Sequence, residues 1–227
     1  MPTPSQSGEA GRVRRVIAWS QATPRLWALV GGGVVALLLV GSGGWYWWNA
    51  YQEAGLTAFS QASALVQETL SPQSRPEQVA AAIRSLEDLL ARYPRHPTVP
   101  QAAYTLGNLR YQIRAYDAAR VAYQVAIKKG ARDSLGVLCR LGIGYAWEAQ
   151  RDYPNALAAY REAAASRGDK DFLYEESLLA AARIQELLQQ RGEARETYRA
   201  VLRDRPQSGR AEEVRFRLAG IEGPARR

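Results

Sequence analysis

The sequence predicts an all-α protein, an array of helical hairpins (an α-solenoid) behind one N-terminal transmembrane helix. Three observations point there. An uncharged apolar stretch of membrane-spanning length lies near the N-terminus. A pattern of small and aromatic residues recurs at a fixed interval through the second half. Nowhere does the chain show the strict apolar–polar alternation of a half-buried strand.

The apolar stretch runs from Leu26 to Trp48, LWALVGGGVVALLLVGSGGWYWW, with no charged residue inside. As a helix it spans roughly 34 Å, enough for a hydrocarbon core of about 30 Å. Trp27 at one end and Trp45, Tyr46, Trp47, Trp48 and Tyr51 at the other match the aromatic belts of a membrane helix. A cleaved signal peptide competes, because Val40-Gly41-Ser42 is a tolerable cleavage site. It lacks the Ala-x-Ala pattern, and the apolar stretch continues past it into the aromatic girdle, so an uncleaved anchor is expected. Gly32 and Ala36 form a small-xxx-small pair suited to packing on another membrane helix. Arg12, Arg14, Arg15 and Arg25 precede the segment, and Asn49 to Glu68 holds no Lys or Arg. The positive-inside rule puts residues 1–25, a polar and disordered tail, in the cytoplasm, and the rest on the far side of a bacterial inner membrane, in the periplasm.

Net charge is +8, of which the tail accounts for +3. The remaining basic residues are scattered over amphipathic helices and are nearly all arginine, a weak case for nucleic acid as a partner. Cys139 is the single cysteine and His96 the single histidine. No internal disulfide is possible, and little material exists for a transition-metal site or a catalytic triad.

The repeat decides the fold of the remainder. Leu106-Gly107, Tyr116, Ala119, Tyr123 and Ala126 recur 37 positions on as Ile143-Gly144, Tyr153, Ala156, Tyr160 and Ala163. A weaker copy 38 positions further holds Ala182, Ala194, Tyr198 and Val201, then Pro206. Small residues at 107, 144 and 182 let the first helix of a hairpin lie close to its neighbour, and Ala119, Ala156 and Ala194 do so on the second. Tyr123, Tyr160 and Tyr198, four residues later on the same face, fill the gap between hairpins. These residues resemble the tetratricopeptide repeat (TPR) over about 77–208, although the opening tryptophan is missing and the period exceeds 34. Hairpins are expected at about 52–93, 100–129, 137–167 and 175–204, with a capping helix over 208–220, in a domain covering 49–227. In the first hairpin Leu56, Phe59, Ala62, Val66 and Leu70 form one helix and Ala82, Leu86 and Leu89 the next, with Ser71 to Pro76 breaking the two.

Few residues invite chemistry. Cys139, among Leu138, Leu141 and Ile143, reads as a small buried hydrophobe, and His96 in Pro94-Arg95-His96-Pro97 as a solvated loop histidine. Asp169, Asp171, Glu175 and Glu176 cluster at a helix start, where carboxylates complement the macrodipole. They lack the spacing of a calcium loop, and no nucleophile or phosphate-loop motif occurs. No enzyme, cofactor, metal or small-molecule substrate is expected. What remains is a concave face. Carrying over the groove positions that the TPR resemblance implies gives Tyr104, Asn108 and Tyr111, then Leu141, Tyr145 and Glu148, then Leu179, Arg183 and Glu186. Tyrosines and leucines in such a row suit an extended or helical peptide segment, and the carboxylate clamp of chaperone-binding TPR proteins is missing.

A short basic tail, an anchor ending in Gly-Trp-Tyr-Trp-Trp and a helical array together resemble the YfgM-type family of inner-membrane TPR proteins, ancillary partners of the SecYEG translocon. The resemblance implies a protein-binding role beside the translocon, passing secreted chains to periplasmic chaperones. A structural scaffold of another envelope complex, in division with Tol–Pal, outer-membrane assembly or cytochrome maturation, is the alternative, and a membrane-tethered enzyme a distant third.

Overall fold

A computed structural model describes residues 24–71, 74–166 and 172–222, and among these the chain forms nine helices and no strand. They are α1 (Pro24–Thr69), α2 (Pro76–Arg92), α3 (Val99–Gln112), α4 (Tyr116–Lys128), α5 (Asp133–Ala149), α6 (Tyr153–Ala165), α7 (Phe172–Leu187), α8 (Arg191–Asp204) and α9 (Ala211–Glu222). The chain divides into two compact units, Met1–Glu53 and Ala54–Arg227.

The first unit contributes most of α1. Among the described residues its apolar side chains are largely exposed, Leu37, Leu39, Val40, Trp45 and Trp47 among them, and a Cβ added to Gly31, Gly32 or Gly33 would meet open space. Trp47 and Trp48 both stack on Tyr51, with centroids 6.0 and 5.9 Å apart. Among the described residues α1 is the one helix long and apolar enough to cross a membrane. The sequence places a helix end at Trp48 and a new start at Gln52; the structure instead has α1 unbroken through both. No proline or turn residue pair interrupts that stretch, and Asn49 Nδ2 donates to Glu53 Oε1 at 2.9 Å, an i,i+4 bond that holds the helical register. The basic tail up to residue 23 and the side chain of Trp27 lie outside the described residues.

In the second unit the helices pair in chain order, α3 on α4, α5 on α6 and α7 on α8. Each hairpin docks on the next through α4–α5, α6–α7 and α8–α9. Helix starts follow local chemistry. Pro76 occupies the first turn of α2, where its missing N–H is no loss, and the Gln78 side chain accepts the Arg75 N–H at 2.8 Å. Asp152 caps α6 by accepting from Asn155 N. The first hairpin buries Ala62, Ala82, Leu86 and Leu89 against Val99 and Leu106 of the next, each large aliphatic contributing about 1.5–3 kcal/mol. Arg120 of α4 lies 3.4 Å over the Trp147 ring of α5, a cation–π clamp across the hairpin boundary. Helix α9 buries Ala211 and packs Val214 into the Tyr198 cluster.

Backbone conformation repeats as the sequence does. Arg114, Arg151 and Gln189 each follow the first helix of a hairpin and each adopts a left-handed conformation, with φ of 62, 61 and 61°. The next N–H reaches back five residues in every case: Ala115 to Arg110 O (2.8 Å), Asp152 to Trp147 O (3.0 Å) and Gln190 to Gln185 O (2.8 Å). This is a Schellman stop without its usual glycine.

Two residues differ from their sequence reading. His96 is buried, with 6% of its surface exposed. Its ring packs on Gly55, where a Cβ would come within 2.5 Å, and Nδ1 lies 2.7 Å from Thr98 Oγ1. Glu175 is also buried, at 4%, and accepts from Ser208 Oγ beside Arg205, so it ties α7 to the loop before α9 besides sitting at a helix start. Asp169 and Asp171 lie outside the described residues. Cys139 is fully buried among apolar neighbours.

Candidate functional site

The repeated tyrosines fix the geometry of the concave face. Tyr123, Tyr160 and Tyr198 are buried, at 3%, 0% and 1% exposure, and glycines make room for the first two. A Cβ on Gly107 or Gly142 would come within 2.5 or 2.6 Å of the Tyr123 ring, and one on Gly144 would overlap Tyr160. A buried phenol needs a partner for its hydroxyl. Tyr123 donates to Asn108 Oδ1 (2.8 Å), Tyr160 to Glu148 Oε2 (2.6 Å) and Tyr198 to Glu186 Oε1. Each acceptor belongs to the first helix of the same hairpin.

Three of the nine groove candidates, Asn108, Glu148 and Glu186, are thereby engaged inside the array. Glu148 also receives Arg183 Nη2 on both oxygens, at 3.0 and 2.8 Å, and Glu186 sits 3.5 Å from Arg217. In the first repeat the position of these carboxylates is taken by Tyr111, and Asn108, one turn earlier, serves Tyr123 instead.

That exchange leaves an aromatic hollow. Tyr104, Asn108, Tyr111, Leu141 and Tyr145 line one groove of about 490 Å³ together with Tyr123, Leu138, Gly142, Leu173, Glu176 and Arg210. Leu141 is almost wholly buried and contributes floor more than wall. Leu179 and Arg183 line a second, smaller hollow of about 220 Å³ with Tyr198, Val214 and Arg217. Glu148 and Glu186 line neither. The ion pair of Arg210 and Glu176 borders both hollows.

Ring contacts brace the groove. The Tyr104 ring lies 6.0 Å from that of Tyr123, Tyr111 meets Tyr116 edge-on at 5.3 Å, and Tyr145 meets Tyr160 edge-on at 5.6 Å. Tyr145 also donates to Glu176 Oε1 at 2.8 Å. Burial, then the bond to Glu176, raise the Tyr145 pKa well above its ordinary value, and burial followed by the charges of Tyr116 and Glu148 raises that of Tyr111. Both hydroxyls stay protonated. Glu176 is opposed by its burial, but bonds from Tyr145 and Arg210 and the guanidiniums of Arg210 and Arg183 outweigh that and lower its pKa. The groove therefore offers aromatic faces, neutral hydroxyls, one amide and one internally paired ion pair. Among the described residues no group of three or more His, Cys, Asp or Glu is placed to hold a metal. Sequence reasoning missed Leu138, one turn before Leu141 on the same helix face, and Gly142, the earlier glycine of Leu141-Gly142-Ile143-Gly144. It also assigned Glu176 to the helix start alone.

Stacked hairpins with a fixed aromatic groove define a helical-repeat scaffold of the kind that binds other proteins. The chain belongs to the tetratricopeptide repeat-like domain family, whose model matches residues 25–223. Among solved structures it is similar to a tetratricopeptide repeat protein from Parabacteroides merdae, at 15% identity and a TM-score of 0.60. The alignment covers 75% of this chain and 61% of that one, and at such identity the likeness concerns the fold alone. No curated protein matches the sequence. Proteins of this fold generally serve as non-enzymatic scaffolds that bind other proteins.

Proposed function

We propose that the protein is a membrane-anchored interaction module that takes a peptide segment of a partner protein into the groove of Tyr104, Asn108, Tyr111, Leu141 and Tyr145. The observation that supports this most is the set of ring contacts holding those tyrosines in place before any partner arrives. Tyrosines already ordered lose little side-chain entropy on binding, so more of the contact energy goes into affinity. The apolar stretch from Leu26 to Trp48 anchors the chain in the bacterial inner membrane, with the tail in the cytoplasm and the array on the periplasmic side. The favoured partners follow from the resemblance to the YfgM-type family: the secretion translocon, periplasmic chaperones and the secreted chains passed between them.

Photo-crosslinking in intact cells tests this, with a reactive amino acid replacing Tyr104 or Tyr111 and adducts identified by mass spectrometry. Adducts to translocon subunits, chaperones or secreted chains are expected. Adducts to division, outer-membrane-assembly or cytochrome-maturation proteins would instead assign the groove to the scaffold of such a complex. Adducts confined to cytoplasmic proteins would refute the orientation.

A further inference from the structure

The polar groups still open in the aromatic groove are chiefly donors. Tyr123 donates to Asn108 Oδ1 at 2.8 Å, which occupies the amide oxygen. Among the described residues the Asn108 Nδ2 has no hydrogen-bond partner, and neither have the hydroxyls of Tyr104 and Tyr111. Asn108 is exposed and the two tyrosines are half-buried, so solvent reaches all three. A phenol accepts as well as donates, but it is the better donor. The strong acceptor nearby is taken: Glu176 receives Tyr145 on one oxygen and Arg210 on the other. Glu176 and Arg210 are the charged residues of the lining, and their charges cancel.

A segment that suits such a lining brings acceptors and few donors. A helical segment has its carbonyls closed on its own N–H groups. An ordinary extended strand offers carbonyls, but each residue adds an N–H that needs an acceptor, and a buried N–H left unpaired is costly. Proline carries a carbonyl and no N–H, and a run of prolines adopts the polyproline II helix, extended and without internal hydrogen bonds. Its rings supply compact apolar faces for the tyrosines, and its preset backbone loses little entropy on docking. The dimensions agree. Tyr104, Asn108 and Tyr111 stand at i, i+4 and i+7 on one face of α3 and spread over about 10.5 Å of helix axis. One turn of polyproline II advances about 9.3 Å.

We infer that the groove lined by α3, α5 and α7 binds an uncharged, proline-rich segment of a partner protein in the polyproline II conformation. The inference deepens the groove reading above and rests on it. Asn108 Nδ2 and the hydroxyls of Tyr104 and Tyr111 donate to backbone carbonyls of the segment, and its pyrrolidine rings lie against the tyrosines and Leu138. Replacing the prolines of the segment brings in N–H groups that the groove has few means to pair. Asn108 sets the sign of this polarity. An aspartate there would still accept from Tyr123 but would meet the segment's carbonyls with an oxygen.

The test is fluorescence polarisation of labelled dodecaproline titrated with the full chain in detergent, beside a labelled helix-forming peptide of alanine, leucine and glutamine of the same length. Saturable binding of dodecaproline is expected, several-fold tighter than that of the helix former. Tyr104→Phe and Tyr111→Phe each keep the ring and lose one donor, and each weakens binding about two- to ten-fold. Asn108→Asp weakens it by more than about ten-fold while the thermal midpoint does not fall, because Tyr123 keeps its acceptor. Tyr174→Phe, outside the groove lining, leaves the affinity unchanged. Dodecaproline binding that none of the three groove variants weakens would overturn the inference by placing the contact elsewhere. Tighter binding of the helix former, weakened by the same variants, would overturn it and leave the groove standing as a peptide site. Failure of both peptides to bind would also overturn it, and the groove reading would then be decided separately by the crosslinked adducts at Tyr104 and Tyr111.

Discussion

Replacing Tyr160 by Phe removes one oxygen from the centre of the third hairpin and leaves the ring in place. Tyr160 is fully buried, and its hydroxyl donates to Glu148 Oε2 at 2.6 Å. A hydrogen bond to a charged acceptor contributes about 1.5–3 kcal/mol net. Glu148 keeps Arg183 on both oxygens, so the variant leaves no orphaned carboxylate and the loss falls at the low end, about 1.5 kcal/mol. For an array of this size that corresponds to a Tm lower by roughly 3–6 °C. The assay is thermal unfolding of the full chain in detergent, followed by far-ultraviolet circular dichroism. Tyr174→Phe is the reference, since that hydroxyl reaches Asp204 at 3.2 Å on an exposed surface and its loss costs under about 0.5 kcal/mol. Equal midpoints for the two variants would refute the claim that the buried tyrosine–carboxylate bond stabilises this hairpin.

Three other outcomes follow from the same structure. Arg151→Gly relieves a left-handed backbone at a helix stop and raises stability by up to about 1 kcal/mol, read as a higher denaturation midpoint; a lower midpoint would mean that the arginine side chain matters more than the conformation. Gly144→Val drives a branched side chain into the Tyr160 ring and costs about 1–3 kcal/mol by overpacking, whereas the same change at Gly192, which faces open space, leaves the hairpin contacts intact; urea titration separates the two. The lowered pKa of Glu176 means that its contribution is present above the ordinary carboxylate pKa of about 4.3 and is lost as pH falls through the lower folded value. Stability measured against pH should therefore drop on acidification, and less steeply in Glu176→Gln; identical slopes would show that the carboxylate is not linked to folding.

The hairpins were legible because their packing rule is written in residue size. A glycine or alanine must face each tyrosine, and Gly107 with Tyr123 and Gly144 with Tyr160 recur at one spacing whatever the loops do. The hydroxyl partners were less legible. The acceptor moves by one turn between repeats, from Asn108 to Glu148 and Glu186, so a position-by-position projection read the carboxylates as groove residues when they face the tyrosines of their own hairpins. His96 was misread because burial in a loop depends on what lies opposite, here Gly55 far upstream in sequence. The Schellman stops left no trace in composition, since arginine and glutamine stand where glycine is usual.

The hydroxyl bonds of the three tyrosines have one more consequence. Donor and acceptor come from the same hairpin in all three, so none of these hydroxyls relies on a neighbouring hairpin for its partner. Duplicating or deleting such a unit would change the length of the array without stranding a hydroxyl in the core. The fold can thus grow or shrink by whole hairpins with these hydroxyls satisfied, and the bonds that cross hairpin boundaries, Arg183 to Glu148 and Tyr145 to Glu176, are the ones each change must remake.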